Sequence, residues 1–101
     1  MDLRQLRYFV AIFESGTLSN AADNLRIAAS ALSHHLANLE SELGVKLFYR
    51  KPRGMAPTAA GHRLHEHAKL ILKTLAAAEA DLREAGGEIS GDVFRGEGNR
   101  R

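Results

Sequence analysis

The feature that most constrains this chain is a pair of apolar stripes in the run from Leu18 to Leu43, LSNAADNLRIAASALSHHLANLESEL. Leu18, Ala21, Ala22 and Leu25 recur at three and four residues, the spacing of one helical face. Arg26, Ile27 and Ala28 leave room for a turn, with Ile27 expected to point inward. Leu32, Leu36, Leu39 and Leu43 form a second stripe at spacings of four, three and four. Ser30, Ser33, His34, Ala37 and Ser41 fall on the opposite face of that second helix. The sequence thus describes a helix anchored by leucines behind and bare, short-chained and polar in front. Small residues at Ala21 and Ala22 let the two helix axes approach closely. Two helices joined by such a turn form a helix-turn-helix, whose second helix can lie in a DNA major groove. The plain alternative is an ordinary helix pair, since any small helical protein contains leucine stripes.

The flanking residues extend the pattern. Asp2 can cap a first helix with Gln5 reaching back to it, a variant of the capping box. Leu3, Leu6, Phe9, Val10 and Phe13 supply its apolar stripe, and Gly16 suits its end. Thr17 can cap the next helix, so the pair follows without a linker. Gly44 stops the second helix of the pair.

Beyond it, Pro52, Gly54 and Pro57 in YRKPRGMAPT exclude helix. Two short strands, roughly Phe48 to Arg50 and Met55 to Pro57, would form a hairpin with Lys51 and Arg53 at its tip. An isolated basic hairpin is usually a solvated loop. Beside a helix-turn-helix it reads as a wing, placed to reach phosphates or the minor groove.

Thr58 can cap a long helix running to about Ala85. Leu64, Ala68, Ile71, Leu75, Ala78 and Leu82 lie four, three, four, three and four residues apart, a heptad seam. It covers fewer than three heptads, so packing on its own domain is one reading of it. Leu70 and Leu72 lie off the seam and widen the apolar surface. The expectation is a helix that packs partly on its own domain and partly on a second copy, with those six seam residues at the interface between copies. From Gly86 the run GGEISGDVFRGEGNRR has no sustained period and reads as a disordered tail. The fold class is therefore mainly α: a winged helix-turn-helix of three helices and a short β-hairpin over residues 1–57. A linker or dimerisation helix over 58–85 and a flexible tail over 86–101 complete it.

Charge adds direction. The net charge of +2 is too small to argue for nucleic acid. Its distribution says more: residues 1–58 hold Arg4, Arg7, Arg26, Lys46, Arg50, Lys51 and Arg53 against Asp2, Glu14, Asp23, Glu40 and Glu42. The remaining residues are balanced, and Arg50, Lys51 and Arg53 crowd into the wing.

Other classes find little support. With no Cys there is neither a disulfide framework nor a thiolate metal site. No apolar run approaches the roughly 20 residues that cross a bilayer. The opening MDLRQLRYF does not look like a secretory signal, so a cytoplasmic protein without membrane contact is expected. His62 and His65 share a helix face, but no Cys or carboxylate cluster completes a four-ligand set. A solvated basic face is the simpler reading of them. No phosphate cradle, nucleophile elbow or paired-carboxylate arrangement is present, so neither enzyme activity nor a cofactor or metal is expected.

Taken in order, residues 1–88 resemble the N-terminal DNA-binding part of a LysR-type transcriptional regulator. The resemblance rests on LRQLRYFVAI, on Gly16-Thr17-Leu18-Ser19 before Ala21-Ala22, and on Ala31-Leu32-Ser33-His34. It continues through Leu39-Glu40, Leu43-Gly44-Val45, Leu47-Phe48 followed by Arg50, then Arg53, and Thr58 with Gly61. It implies a winged helix-turn-helix, a linker helix that mediates dimer contacts, and operator binding by dimers or tetramers. Ser33 and His34 match recognition-helix positions facing the major groove, with His34 where the family often has Arg. Arg53 matches the wing residue at the minor groove. Thr17 matches the hydroxyl residue at a helix start where a phosphate can sit. Base contacts are expected from the Ser30 to Asn38 face.

Two departures stand out. Where the family usually has Ser-Gln-Pro, this chain has Ala28-Ala29-Ser30. Ala28 removes the expected N-cap, worth on the order of 1 kcal/mol, and leaves Ser30 to cap a shortened helix. Ala29 removes an amide that could read adenine, so base preference there should be softer or different. The family also continues into a two-lobed inducer-binding domain, whose opening strand the last sixteen residues do not resemble. Either a cut chain or a short natural form fits, and no inducer site is expected in these residues. The rival reading is an interaction module that dimerises with full-length relatives and modulates them without touching DNA.

Overall fold

The computed structural model describes residues 1–89, with side chains through residue 86. The element order is α1 (Leu3–Ser15), α2 (Leu18–Leu25), α3 (Ala29–Leu43), β1 (Phe48–Lys51), β2 (Gly54–Pro57) and α4 (Ala59–Ile89). Residues Met1–Ala68 form one compact unit, and the described residues from Lys69 to Ile89 belong to a second.

Local chemistry starts and stops the helices much as the sequence suggests. Asp2 Oδ1 accepts from the Gln5 amide at 2.7 Å, and Gln5 Oε1 accepts from the Asp2 amide at 3.0 Å, closing the capping box. Thr17 Oγ1 accepts from the Asn20 amide at 3.1 Å at the head of α2. The turn between α2 and α3 is made by Arg26 in the left-handed region, φ 61°. The Arg26 amide donates to Asp23 O and the Ile27 amide to Ala22 O, each at 3.1 Å, which closes off α2.

The core of the first unit gathers Phe9, Ile12, Ala21, Ala22, Leu32, Leu36, Leu39, Leu47 and Phe48. Leu18, Leu25 and Ile27 pack against it, as their periodicity requires. The ends of the stripes behave otherwise. Leu3 and Leu43, expected in the core, remain 43% and 39% exposed, because each lies at the free end of its helix.

Glu40 ties α3 to the strand that follows. Its Oε2 accepts from the Leu47 amide at 2.7 Å and the Phe48 amide at 3.3 Å, and Lys46 Nζ stands 3.8 Å from Oε1. Thr58 joins the residues just before that strand to α4. Its hydroxyl donates to Lys46 O at 2.7 Å and accepts from the Gly61 amide at 3.0 Å, while its own amide donates to Leu47 O at 3.0 Å. A Cβ on Gly61 would lie 2.2 Å from Leu47 O, so only glycine lets α4 approach this closely.

Three boundaries differ from expectation. α3 opens at Ala29 with Ala28 as an N-cap that makes no side-chain bond. Ser30 therefore lies inside the first turn and does not cap it. The strands are each one residue longer than expected, giving a hairpin in which Lys51 pairs with Gly54. α4 runs past Gly86 to Ile89, because a continuing helix tolerates glycine at a modest cost of about 1 kcal/mol. The rest of the expected tail, residues 90–101, lies outside the described residues.

Candidate nucleic-acid interface

The exposed face of α3 is built by subtraction. Leu32, Leu36 and Leu39 are buried, which turns Ala29, Ser30, His34, Ala37 and Asn38 to solvent. No acidic residue occurs between Arg26 and Asn38, and the acid that follows, Glu40, is only partly exposed and bonded to backbone amides. A polyanion approaching this face therefore meets small groups and hydrogen-bonding side chains, without repulsion from that stretch.

Ser33 is half-buried, contrary to its place among the outward residues. Arg50 Nη2 on β1 donates to Ser33 Oγ at 2.8 Å. That bond uses a lone pair of Ser33 and leaves its hydroxyl hydrogen available. It also joins the recognition face directly to the wing. One turn further on, Asn38 Nδ2 lies 3.2 Å from His34 Nε2, and both side chains are exposed. Behind them the His35 ring meets Tyr8 of α1 edge-on, with centroids 5.0 Å apart.

The wing is held at a defined place. The Met55 amide donates to Gly16 O at 2.8 Å. Gly54 has φ 149°, and a Cβ there would stand 2.6 Å from Gly16 O. This contact brings Lys51, Arg53 and Gly54 together with Gly16 around a shallow hollow of about 200 Å³, beside the head of α2. Lys51 and Arg53 are exposed, and Thr17, next to Gly16, is half-buried with its oxygen engaged in capping. Positive side chains thus stand by the positive end of a helix dipole, an arrangement that favours phosphate.

These positions define a domain whose sequence and shape are both known. Residues 3–62 match the model for the bacterial regulatory helix-turn-helix protein, lysR family. The chain belongs to the lysR family. It is 43% identical over 96 residues to the nitrogen assimilation regulatory protein nac of Escherichia coli (strain K12), covering 95% of this chain and 32% of nac. To the HTH-type transcriptional regulator BenM of Acinetobacter baylyi (strain ATCC 33305 / BD413 / ADP1) it is 43% identical over 75 residues, 74% of this chain and 25% of BenM. The chain thus spans a third or less of the length of these curated relatives. Among solved structures, the CbnR_DBD–DNA complex superposes with a TM-score of 0.80 at 37% identity, covering 85% of this chain and 99% of that one. The BenM_DBD/benA site 1 DNA complex gives a TM-score of 0.80 at 38% identity, covering 84% of this chain and 99% of that one. The fold is the winged helix-turn-helix of lysR-family DNA-binding domains.

Within this lysR-family domain, the expected residues divide cleanly. Ala29, Ser30, His34, Asn38, Arg50, Lys51 and Arg53 are all exposed, with Ser33 and Thr17 half-buried beside them. The expected copy-to-copy seam divides too. Ala68 is fully buried and so closed to a second chain, while the partly buried Leu64 packs against the core of its own unit. Ile71, Leu75, Ala78 and Leu82 fall in the second unit, where Leu82 is 69% exposed.

His65 departs from the expected solvated face, whereas His62 is exposed. His65 stacks on Phe13 with centroids 3.8 Å apart and 9° between planes, and His62 meets the same ring edge-on at 5.4 Å. His65 Nε2 lies 3.8 Å from Glu14 Oε2. Among the described residues, no group of three or more His, Cys, Asp or Glu could hold a metal ion. The links from Arg50 to Ser33 and from Asn38 to His34 were not apparent in the sequence. The second has the i, i+4 spacing that could have revealed it.

Proposed function

We propose that this chain binds double-stranded DNA and regulates transcription as a homodimer. In this reading residues 1–57 are the DNA-binding unit and 58–85 the linker through which two copies pair. α3 enters the major groove, and the wing reaches the minor groove. Paired copies place their recognition helices on successive major grooves of a roughly palindromic site. Phosphate contacts come from Thr17, Ser33, Arg50 and Lys51, with Arg53 at the minor groove. Base contacts come from the face that carries Ala29, Ser30, His34 and Asn38. The observation that carries the proposal is one acid-free helical face beside a cationic hairpin, in a domain that matches DNA-bound relatives along nearly their whole length. A cytoplasmic setting goes with this reading; no catalytic role and no inducer site are proposed for these residues.

A duplex-shift titration at several salt concentrations tests it. Binding should weaken linearly on a log–log plot as salt rises. Arg53→Ala should weaken binding similarly across sequences and flatten the salt slope by about 1. His34→Ala should instead change preference at one or two base pairs. Ala29→Gln should sharpen discrimination by roughly 1–3 kcal/mol at one position. A chain that pairs with itself yet leaves every duplex unshifted would favour the interaction-module reading.

A further inference from the structure

We propose that His34 is a positioning residue that sets which hydrogen-bonding groups Asn38 offers to DNA, and that its protonation changes the base Asn38 reads. The proposal rests on the DNA-binding reading above. It starts from the 3.2 Å separation of Asn38 Nδ2 and His34 Nε2 on the exposed face of α3. An amide nitrogen has hydrogens to give and no lone pair to accept with, so this contact requires an unprotonated Nε2. Asn38 then keeps one N–H and its Oδ1 free. That is the donor-and-acceptor pair that matches N7 and N6 of adenine in the major groove.

A protonated imidazole reverses the contact. Nε2 then carries a hydrogen, and Asn38 must turn its amide over so that Oδ1 accepts it. Both Nδ2 hydrogens then face outward, and Oδ1, though it keeps a second lone pair, is turned toward the imidazolium, so Asn38 presents donors to DNA. Donors alone suit the N7 and O6 acceptors of guanine and have no partner for the adenine N6 hydrogens.

The surroundings leave this pair free to exchange. The His35 ring lies 6.4 Å from that of His34 between centroids and is itself set against Tyr8 of α1. From β1, Arg50 is bonded to the neighbouring Ser33. On this face the side-chain partner of Asn38 is His34.

The test is selection of duplexes from a randomised pool by the purified chain at pH 8 and pH 5.5. Asn38→Ala identifies the position it reads, by loss of adenine enrichment there at pH 8. At that position the parent's adenine-to-guanine ratio should fall about tenfold between pH 8 and pH 5.5. His34→Gln cannot titrate, so its ratio should hold constant, while His35→Gln should keep the parent's fall. In the DNA-free protein, the Asn38 side-chain amide resonances should shift over the same pH range and stop shifting in His34→Gln. A ratio that falls equally in His34→Gln, or that no longer falls in His35→Gln, overturns the proposal. So does an adenine preference that survives Asn38→Ala, or an Asn38 amide blind to pH. Each of these leaves DNA binding standing if the parent retains duplexes. A parent that retains none overturns both readings.

Discussion

At the scale of single residues, the strongest constraints lie behind the recognition face. Thr58 donates to Lys46 O and accepts from the Gly61 amide, while Gly61 lies against the Leu47 carbonyl. A methyl on Gly61 would have to displace backbone, which cannot swing aside as a flexible side chain can. Gly61→Ala should therefore destabilise the chain by about 1–3 kcal/mol, read as a lower urea midpoint with an unchanged slope. Thr58→Val keeps the shape and removes the hydroxyl, stranding the Gly61 amide and Lys46 carbonyl. It should cost about 1–3 kcal/mol by the same measurement. The resemblance singled out Thr58 and Gly61 as a pair, and the capping role of Thr58 was readable from its place before a helix. The reason for glycine was not readable, because a close approach between residues fourteen apart leaves no local pattern.

At the scale of elements, α3 is the exception among the first three helices. α1 and α2 each begin with a side chain that caps them, and α3 begins with Ala28, which cannot. Ala28→Ser should stabilise the chain by about 1 kcal/mol in thermal or urea unfolding. Unchanged stability would mean that the first turn of α3 is already satisfied by another route. The helices themselves were legible because their apolar residues recur at three and four, and the hairpin because Pro52, Gly54 and Pro57 bracket a β-prone run. Periodicity said less about stripe ends and α4. It assigned Leu3 and Leu43 to the core and Leu64 and Ala68 to a second copy. A stripe tells which residues share a face, and not how far along that face the covering neighbour extends.

At the scale of the whole molecule, the seam on α4 is divided between two tasks. Its first part, Leu64 and Ala68, is used within Met1–Ala68. The remainder, with Ile71 and Leu82 exposed, is what the proposed pairing of copies would cover. Leu75→Glu with Leu82→Glu should leave the urea midpoint of the first unit unchanged. It should shift sedimentation equilibrium toward monomer, and weaken binding to a two-half-site duplex far more than to a single half-site. Equal losses on both duplexes would argue that pairing lies elsewhere.

The bond from the Met55 amide to Gly16 O fixes the hairpin to the junction of α1 and α2. In the proposed binding mode its cationic tip is therefore no loose flap, and it works as one jaw of a caliper whose other jaw is α3. A duplex whose grooves do not fit that opening has to bend or twist to be gripped by both. The stiffness of the DNA, at base pairs the protein never touches, then enters the choice of target.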